Sequence, residues 1–207
     1  MPTGPIIAGA GAAAAILLIK RQSRLAALES PRPWTTKTGG SMIPVASSGS
    51  AAYLVAEGNF VRGLDMNRRT STGEIVPHWG VDISAPIGTP VYAVKPGRVL
   101  HAGAQNGYGN SIWISHTGEN QSSVYGHLHE MHVREGDLVV PGQQVGTVGR
   151  TCTGPSGTPP AWCAAMGAHL HWEIHPTPQP GFGRMTRRLD PVNWLRTQGT
   201  ELSGRRI

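Results

Sequence analysis

Apolar and polar positions divide the chain into two regimes. From about residue 53 onward, short apolar runs alternate with turn-forming residues. The stretch "NSIWISH" (110–116) has a period of two, which puts Ile112 and Ile114 on one face of a strand and Trp113 on the other. "TPVYAVKPGRVLHAG" (89–103) and "GDLVVPGQQVGTVG" (136–149) each carry two apolar runs split by Pro-Gly. "SSVYGHL" (122–128) follows the turn-like "TGENQ", and "HLHWEIH" (169–175) alternates again. Short strands at close spacing predict a mainly β fold, an antiparallel sandwich or barrel-like hybrid. Near the C-terminus "LDPVNWLRTQ" (189–198) predicts one short helix, with Asp190 as N-cap and Pro191 in the first turn.

The first 52 residues read differently. Pro5 to Ile19 carries no charge and is rich in Gly and Ala, while Lys20, Arg21 and Arg24 follow it. A secretory signal would place its positive charge before the apolar run. The run is shorter than the ~20 residues that span a bilayer comfortably. Residues 1–24 are therefore read as an apolar N-terminal helix serving as a membrane anchor, with a buried or disordered tail as the alternative. Residues 25–52 are dominated by Pro, Ser, Thr and Gly without periodicity and read as a linker. Residues 53–207 form the folded domain.

Composition narrows the function classes. The 207 residues include 28 Gly and 17 Pro, and only 14% are charged, which excludes a coiled coil. The net charge of +6 favours anionic partners. The arginine pairs are scattered and no nucleic-acid motif is present, so no specific nucleic-acid partner is expected. Cys152 and Cys163 fit neither C-x-x-C nor a zinc-finger spacing. They form either a disulfide that pins a Gly/Pro-rich loop, which implies an oxidising compartment, or two free thiols. The disulfide is the preferred reading.

The histidines carry the chemistry. "HWGVD" (78–82) places His78 four residues before Asp82, a spacing that alone means little. "HLH" (169–171) lies in a predicted strand, where His169 and His171 project to the same side. One imidazole can bind a metal while the other stands beside a bound water. Two nitrogens and one carboxylate oxygen suit zinc and leave a fourth tetrahedral position open, the mark of a catalytic rather than structural site.

Together with "YGHL" (125–128), these motifs resemble the lysostaphin/LytM-type peptidoglycan endopeptidases, the M23 family of zinc metallopeptidases. The motifs H-x-x-x-D, Tyr-x-His and H-x-H occur in the family's order, and the β-rich spacers between them are similar over about residues 74 to 195. The resemblance implies one Zn2+ per chain on His78, Asp82 and His171, with His127 and His169 as the catalytic pair. It implies an endopeptidase acting on peptidoglycan stem or bridge peptides in a substrate groove, with a zinc-activated water as nucleophile. The rival is a non-catalytic wall-binding or activator module on the same fold, although such modules usually lose ligands and all five positions are present here. His116 and Glu173 are candidates for supporting the ligands, and Tyr108 and Asn110 for lining the groove. "HEMH" (129–132) is one residue too short for a zinc helix, so His129 and His132 read as bystanders. The Cys-flanked loop before H-x-H departs from the family pattern. Two locations remain open: the bacterial envelope, or a phage virion with an internal membrane.

Overall fold

The computed structural model describes residues 51–69, 73–116, 118–154, 156–177 and 189–205. The anchor helix of residues 1–24 and all but the end of the linker lie outside them. Among the described residues no helix is long and apolar enough to cross a membrane.

Among the described residues, eleven strands and one α-helix follow in order: β1 (Tyr53–Val55), β2 (Asn59–Arg62), β3 (Val81–Ser84), β4 (Pro90–Tyr92), β5 (Gly97–Gln105), β6 (Gly109–His116), β7 (Gln121–Gly126), β8 (Leu138–Val139), β9 (Gln144–Thr147), β10 (His169–His175), α1 (Pro191–Thr197) and β11 (Glu201–Ser203). A four-stranded sheet has the order β11-β1-β4-β9, and a seven-stranded sheet the order β2-β3-β10-β7-β6-β5-β8. Neither closes on itself, so the expected barrel character is absent and two open sheets take its place. The pairing is antiparallel except between β1 and β11, which run parallel. Those two strands come from opposite ends of the domain, where no hairpin dictates direction.

The alternation read from residues 110–116 is realised. Ile112 and Ile114 are fully buried and Trp113 is half-buried. Strand β10 lies between β3 and β7, and Leu170, Trp172 and Ile174 are fully buried on one of its faces. Trp172 meets Tyr125 edge-on at 6.2 Å and Trp194 of α1 at 5.7 Å. Burying each such side chain contributes about 1.5–3 kcal/mol, which anchors β10 from beneath. Helix α1 starts where the cap residue indicates: Asp190 Oδ1 accepts from the backbone N–H of Val192 at 2.9 Å and of Asn193 at 3.2 Å.

Register, more than any loop, positions the site. His171 on β10 is opposite Asp82 on β3 and Gly126 on β7. Three segments far apart in sequence are thereby aligned at the other face of β10.

Candidate metal centre

Side chains at alternate positions of β10 share a face, so His169, His171, Glu173 and His175 all point away from the Trp172 side. Asp82 approaches from β3, and His78 from the segment before it. Three donor atoms converge. His171 Nδ1 is 2.8 Å from Asp82 Oδ1, His78 Nε2 is 3.0 Å from the same oxygen, and the two nitrogens are 3.2 Å apart. Gly80 makes room for this approach. A Cβ there would lie 2.5 Å from the Trp172 carbonyl oxygen and 2.8 Å from the His171 ring.

Hydrogen bonds on the outer sides of the rings assign the protons. A carbonyl oxygen only accepts, so His78 Nδ1–H donates to Gly63 O at 2.7 Å. Neutral His78 therefore turns the lone pair of Nε2 toward the Asp82 carboxylate, acceptor against acceptor. A cation between them resolves the conflict. His171 Nε2 is 3.0 Å from Glu173 Oε1, which orients its Nδ1 toward Asp82. Zinc bonds of about 2.0–2.2 Å in a tetrahedron set donors roughly 3.3 Å apart, close to the observed spacing. The donor set fits a zinc ion. Metal-free, the cluster is strongly polarised. With both rings protonated, burial acts to raise the Asp82 carboxyl, yet hydrogen bonds from His171 and His78 hold it well below the usual carboxylate range. Burial acts to lower His171, and the bonds to Asp82 and Glu173 outweigh it and raise the ring to about 9.

Two further histidines flank the cluster. The His127 ring stands 4.6 Å from that of His169 and 5.9 Å from that of His171. His127 Nδ1–H donates to Thr151 O at 2.9 Å, and His169 Nδ1–H to Gly167 O at 2.9 Å. In the neutral rings both Nε2 atoms keep their lone pairs. His169 Nε2 lies 3.8 Å from Asp82 Oδ1. Burial, then the neighbouring His171 and His169, push His127 down to about 3. His127 also has φ +62°, a left-handed conformation that a side chain rarely adopts and that tertiary contacts must hold.

The candidates for support separate. Glu173 is buried beside the cluster: Oε1 accepts from His171 and from the Tyr108 hydroxyl at 2.8 Å, and Oε2 from His175 Nε2 at 2.7 Å. Tyr108 thus acts through its hydroxyl, with its ring 5.8 Å from that of His171. Asn110 contributes its backbone N–H, which donates to Thr151 Oγ1 at 2.9 Å. His116 is not brought to the cluster. It pairs with Gln121 at the far end of the β6–β7 ladder, and its ring nitrogens meet Pro96 O at 3.1 Å and Ser123 Oγ at 3.0 Å. At about 3.4 Å per residue, five positions separate it from the level of Gly126 by roughly 17 Å. Sequence reasoning passed over His175 and Thr151. The His-x-His-x-Glu-x-His alternation of β10 was a usable signal for the first, whereas a carbonyl contact such as that of Thr151 leaves no trace in residue type. Cys152 and Cys163 are joined by a disulfide. The loop it closes borders a pocket of about 510 Å³ lined by Pro159, Pro160, Ala161 and Arg150 among others.

The chain is similar to known proteins. The chain is 35% identical over 123 residues to the uncharacterized lipoprotein YgeR of Escherichia coli K12, covering 59% of this chain and 41% of that protein. It is 35% identical over 105 residues to the peptidoglycan DD-endopeptidase ShyB of Vibrio cholerae, covering 50% and 21%. The chain therefore spans less than half the length of either relative. Among solved structures, the catalytic domain of lysostaphin from Staphylococcus simulans superposes with a TM-score of 0.54 at 27% identity, over 67% of this chain and 92% of that one. A zinc-containing peptidase from Vibrio cholerae gives 0.51 at 27% identity, over 67% and 41%. The family model for peptidase family M23 matches residues 76–183, which contain all five histidine and aspartate positions of the cluster and its flank, and the chain belongs to that family.

Proposed function

We propose that this protein is a zinc-dependent endopeptidase that hydrolyses peptide bonds in bacterial peptidoglycan. The observation that carries the reading is the convergence of His78 Nε2, Asp82 Oδ1 and His171 Nδ1 within 4.8 Å of one another, beside two histidines outside the donor set. A zinc ion on these three donors supplies Lewis acidity at a scissile carbonyl and lowers the pKa of a bound water.

The chain's own groups handle protons. His127 and His169 each hold Nδ1–H against a backbone carbonyl, so each presents Nε2 as a base when neutral. Hydrolysis adds water across the amide: the oxygen bonds to the carbonyl carbon, the C–N bond breaks, and the nitrogen leaves with a proton. One imidazole accepts the proton that the water loses, and an imidazolium delivers one to the departing amine. The half-buried position of His169 and the burial of His127 keep these transfers out of bulk water. Glu173 fixes the ring of His171 and keeps its Nδ1 directed at Asp82.

The setting follows from the substrate. Relatives with envelope names support an extracytoplasmic home, as does the Cys152–Cys163 disulfide. The phage-virion alternative has no counterpart among these bacterial relatives. Residues 1–24 are proposed as the membrane anchor. The non-catalytic module is the second reading, and retention of both proton-handling histidines argues against it. Mass spectrometry of muropeptides released from defined peptidoglycans tests the function. Release of new peptide termini that stops with a chelator and returns with zinc is the expected result. No release by the zinc-loaded protein sinks it.

A further inference from the structure

We infer that Thr151 is a positioning residue for His127, its hydroxyl fixing the backbone carbonyl that orients the imidazole. The inference rests on the catalytic reading of His127 given above.

Thr151 makes four hydrogen bonds to the two segments that frame His127. Its carbonyl oxygen accepts from His127 Nδ1–H at 2.9 Å, and its N–H reaches the His127 carbonyl at 3.4 Å. Its Oγ1–H donates to Leu128 O at 2.9 Å while the same oxygen accepts from Asn110 N–H at 2.9 Å. The hydroxyl therefore bridges the start of β6 to the residue after His127, using donor and acceptor at once. The same two segments are stitched directly: His127 N–H donates to Tyr108 O at 2.7 Å and Leu128 N–H to Asn110 O at 3.0 Å.

Steric contacts tighten the arrangement. Any Cβ on Gly109 would overlap the carbonyl and hydroxyl of Thr151, and one on Gly149 would overlap the backbone of residues 127–129. The chain before and at Thr151 is thus pressed against His127, whose left-handed φ of +62° needs such confinement. Position matters as well. Thr151 is the last residue before the disulfide-closed loop that starts at Cys152, so its hydroxyl fixes the chain between that loop and the imidazole.

Among the described residues, the Thr151 carbonyl is the acceptor of His127 Nδ1–H. Without the hydroxyl the carbonyl is held only by the chain, and the ring gains freedom to turn or to exchange tautomers. A hydrogen bond of this kind selects which nitrogen is available for chemistry.

The test uses the full-length, zinc-loaded protein and three substitutions. Thr151→Val replaces the hydroxyl by a methyl of equal size, Thr151→Ala removes it without adding bulk, and Thr151→Ser keeps it. Nitrogen-15 NMR of the imidazoles, assigned with His127→Ala, reports the protonated nitrogen of His127. The expected result is a protected Nδ1–H in the wild type and in Thr151→Ser that is lost or fast-exchanging in Thr151→Val and Thr151→Ala. On a peptide substrate, kcat falls about tenfold or more in the valine and alanine variants with KM within about twofold and zinc stoichiometric, and serine restores it. An unchanged Nδ1–H signal in a folded valine or alanine variant overturns the proposal. So does a kcat loss that tracks zinc loss or that serine fails to rescue. If the wild type cleaves no peptidoglycan peptide, the catalytic reading fails, while the NMR comparison still decides whether Thr151 holds the ring.

Discussion

Nε2 of His171 lies 3.0 Å from Oε1 of Glu173, on the edge of the ring opposite the Nδ1 that meets Asp82 at 2.8 Å. The carboxylate is 1% exposed and also receives Tyr108 and His175, so it cannot swing away to solvent. Such a partner fixes the tautomer and raises the basicity of a metal-binding imidazole. Glu173→Gln should therefore retain the fold but bind zinc roughly 10–100-fold more weakly. Competition with a chromogenic chelator measures this directly. Wild-type affinity in that variant would show that His171 needs no carboxylate behind it.

The donor set and its flank should separate by substitution. His78→Ala, Asp82→Ala and His171→Ala each remove one of the three converging atoms, and purified protein should lose both zinc and turnover. His127→Ala and His169→Ala leave all three donors in place. These two should keep one zinc per chain and lose about 10²–10⁴-fold in kcat. Elemental analysis alongside peptide hydrolysis distinguishes the groups. Zinc loss in the His127 or His169 variants as complete as in His171→Ala would reverse the assignment.

Much of this site was legible before any coordinates. The period of two put His169 and His171 on one face; in the structure Glu173 shares it, and pairing with β3 brings Asp82 opposite His171. The helix at residue 191 was legible because a cap is local chemistry. What stayed hidden depends on distant contacts. The carbonyls of Gly63, Gly167 and Thr151 choose the histidine tautomers, and any residue type carries a carbonyl. The parallel β1–β11 pair joins the two ends of the domain, and no turn sequence announces it. His116 was a candidate because "ISH" precedes a turn near the site in the family the chain resembles, and the strand runs it about five residues away from the cluster.

The Cys152–Cys163 bridge closes a loop of eleven residue steps without touching the donor set. In the chain-entropy description, closing a loop of that size contributes about 3 kcal/mol. Replacing both cysteines by serine should lower the unfolding free energy by about that amount, read from urea titrations, and leave zinc content unchanged. Peptide mapping without reductant should recover residues 152 and 163 in one linked fragment. A stability loss near zero would mean that the loop is closed as firmly by its prolines.

His116 offers a test of pH dependence away from the donor set. Burial pushes its imidazole from 6.5 to about 4; Pro96 O and Glu119 act in the opposite direction, and Lys95 adds to the lowering. In the unfolded chain the ring ionises near its ordinary value. Between about pH 6.5 and 4 the unfolded state therefore binds a proton that the folded state refuses. Stability tied to the neutral ring is complete above 6.5 and is lost as pH falls toward and through about 4, to a total of about 3 kcal/mol. His116→Gln removes the titration, and its hydrogen-bonding side chain replaces part of the Ser123 contact. Urea midpoints measured from pH 7.5 to 4 on metal-free wild type and variant cancel the groups common to both. The wild type should lose stability more steeply over this window, whatever the offset between the two curves at pH 7.5. Parallel curves would mean that the buried ring takes up its proton in the folded state as readily as in water, and that burial does not hold it neutral.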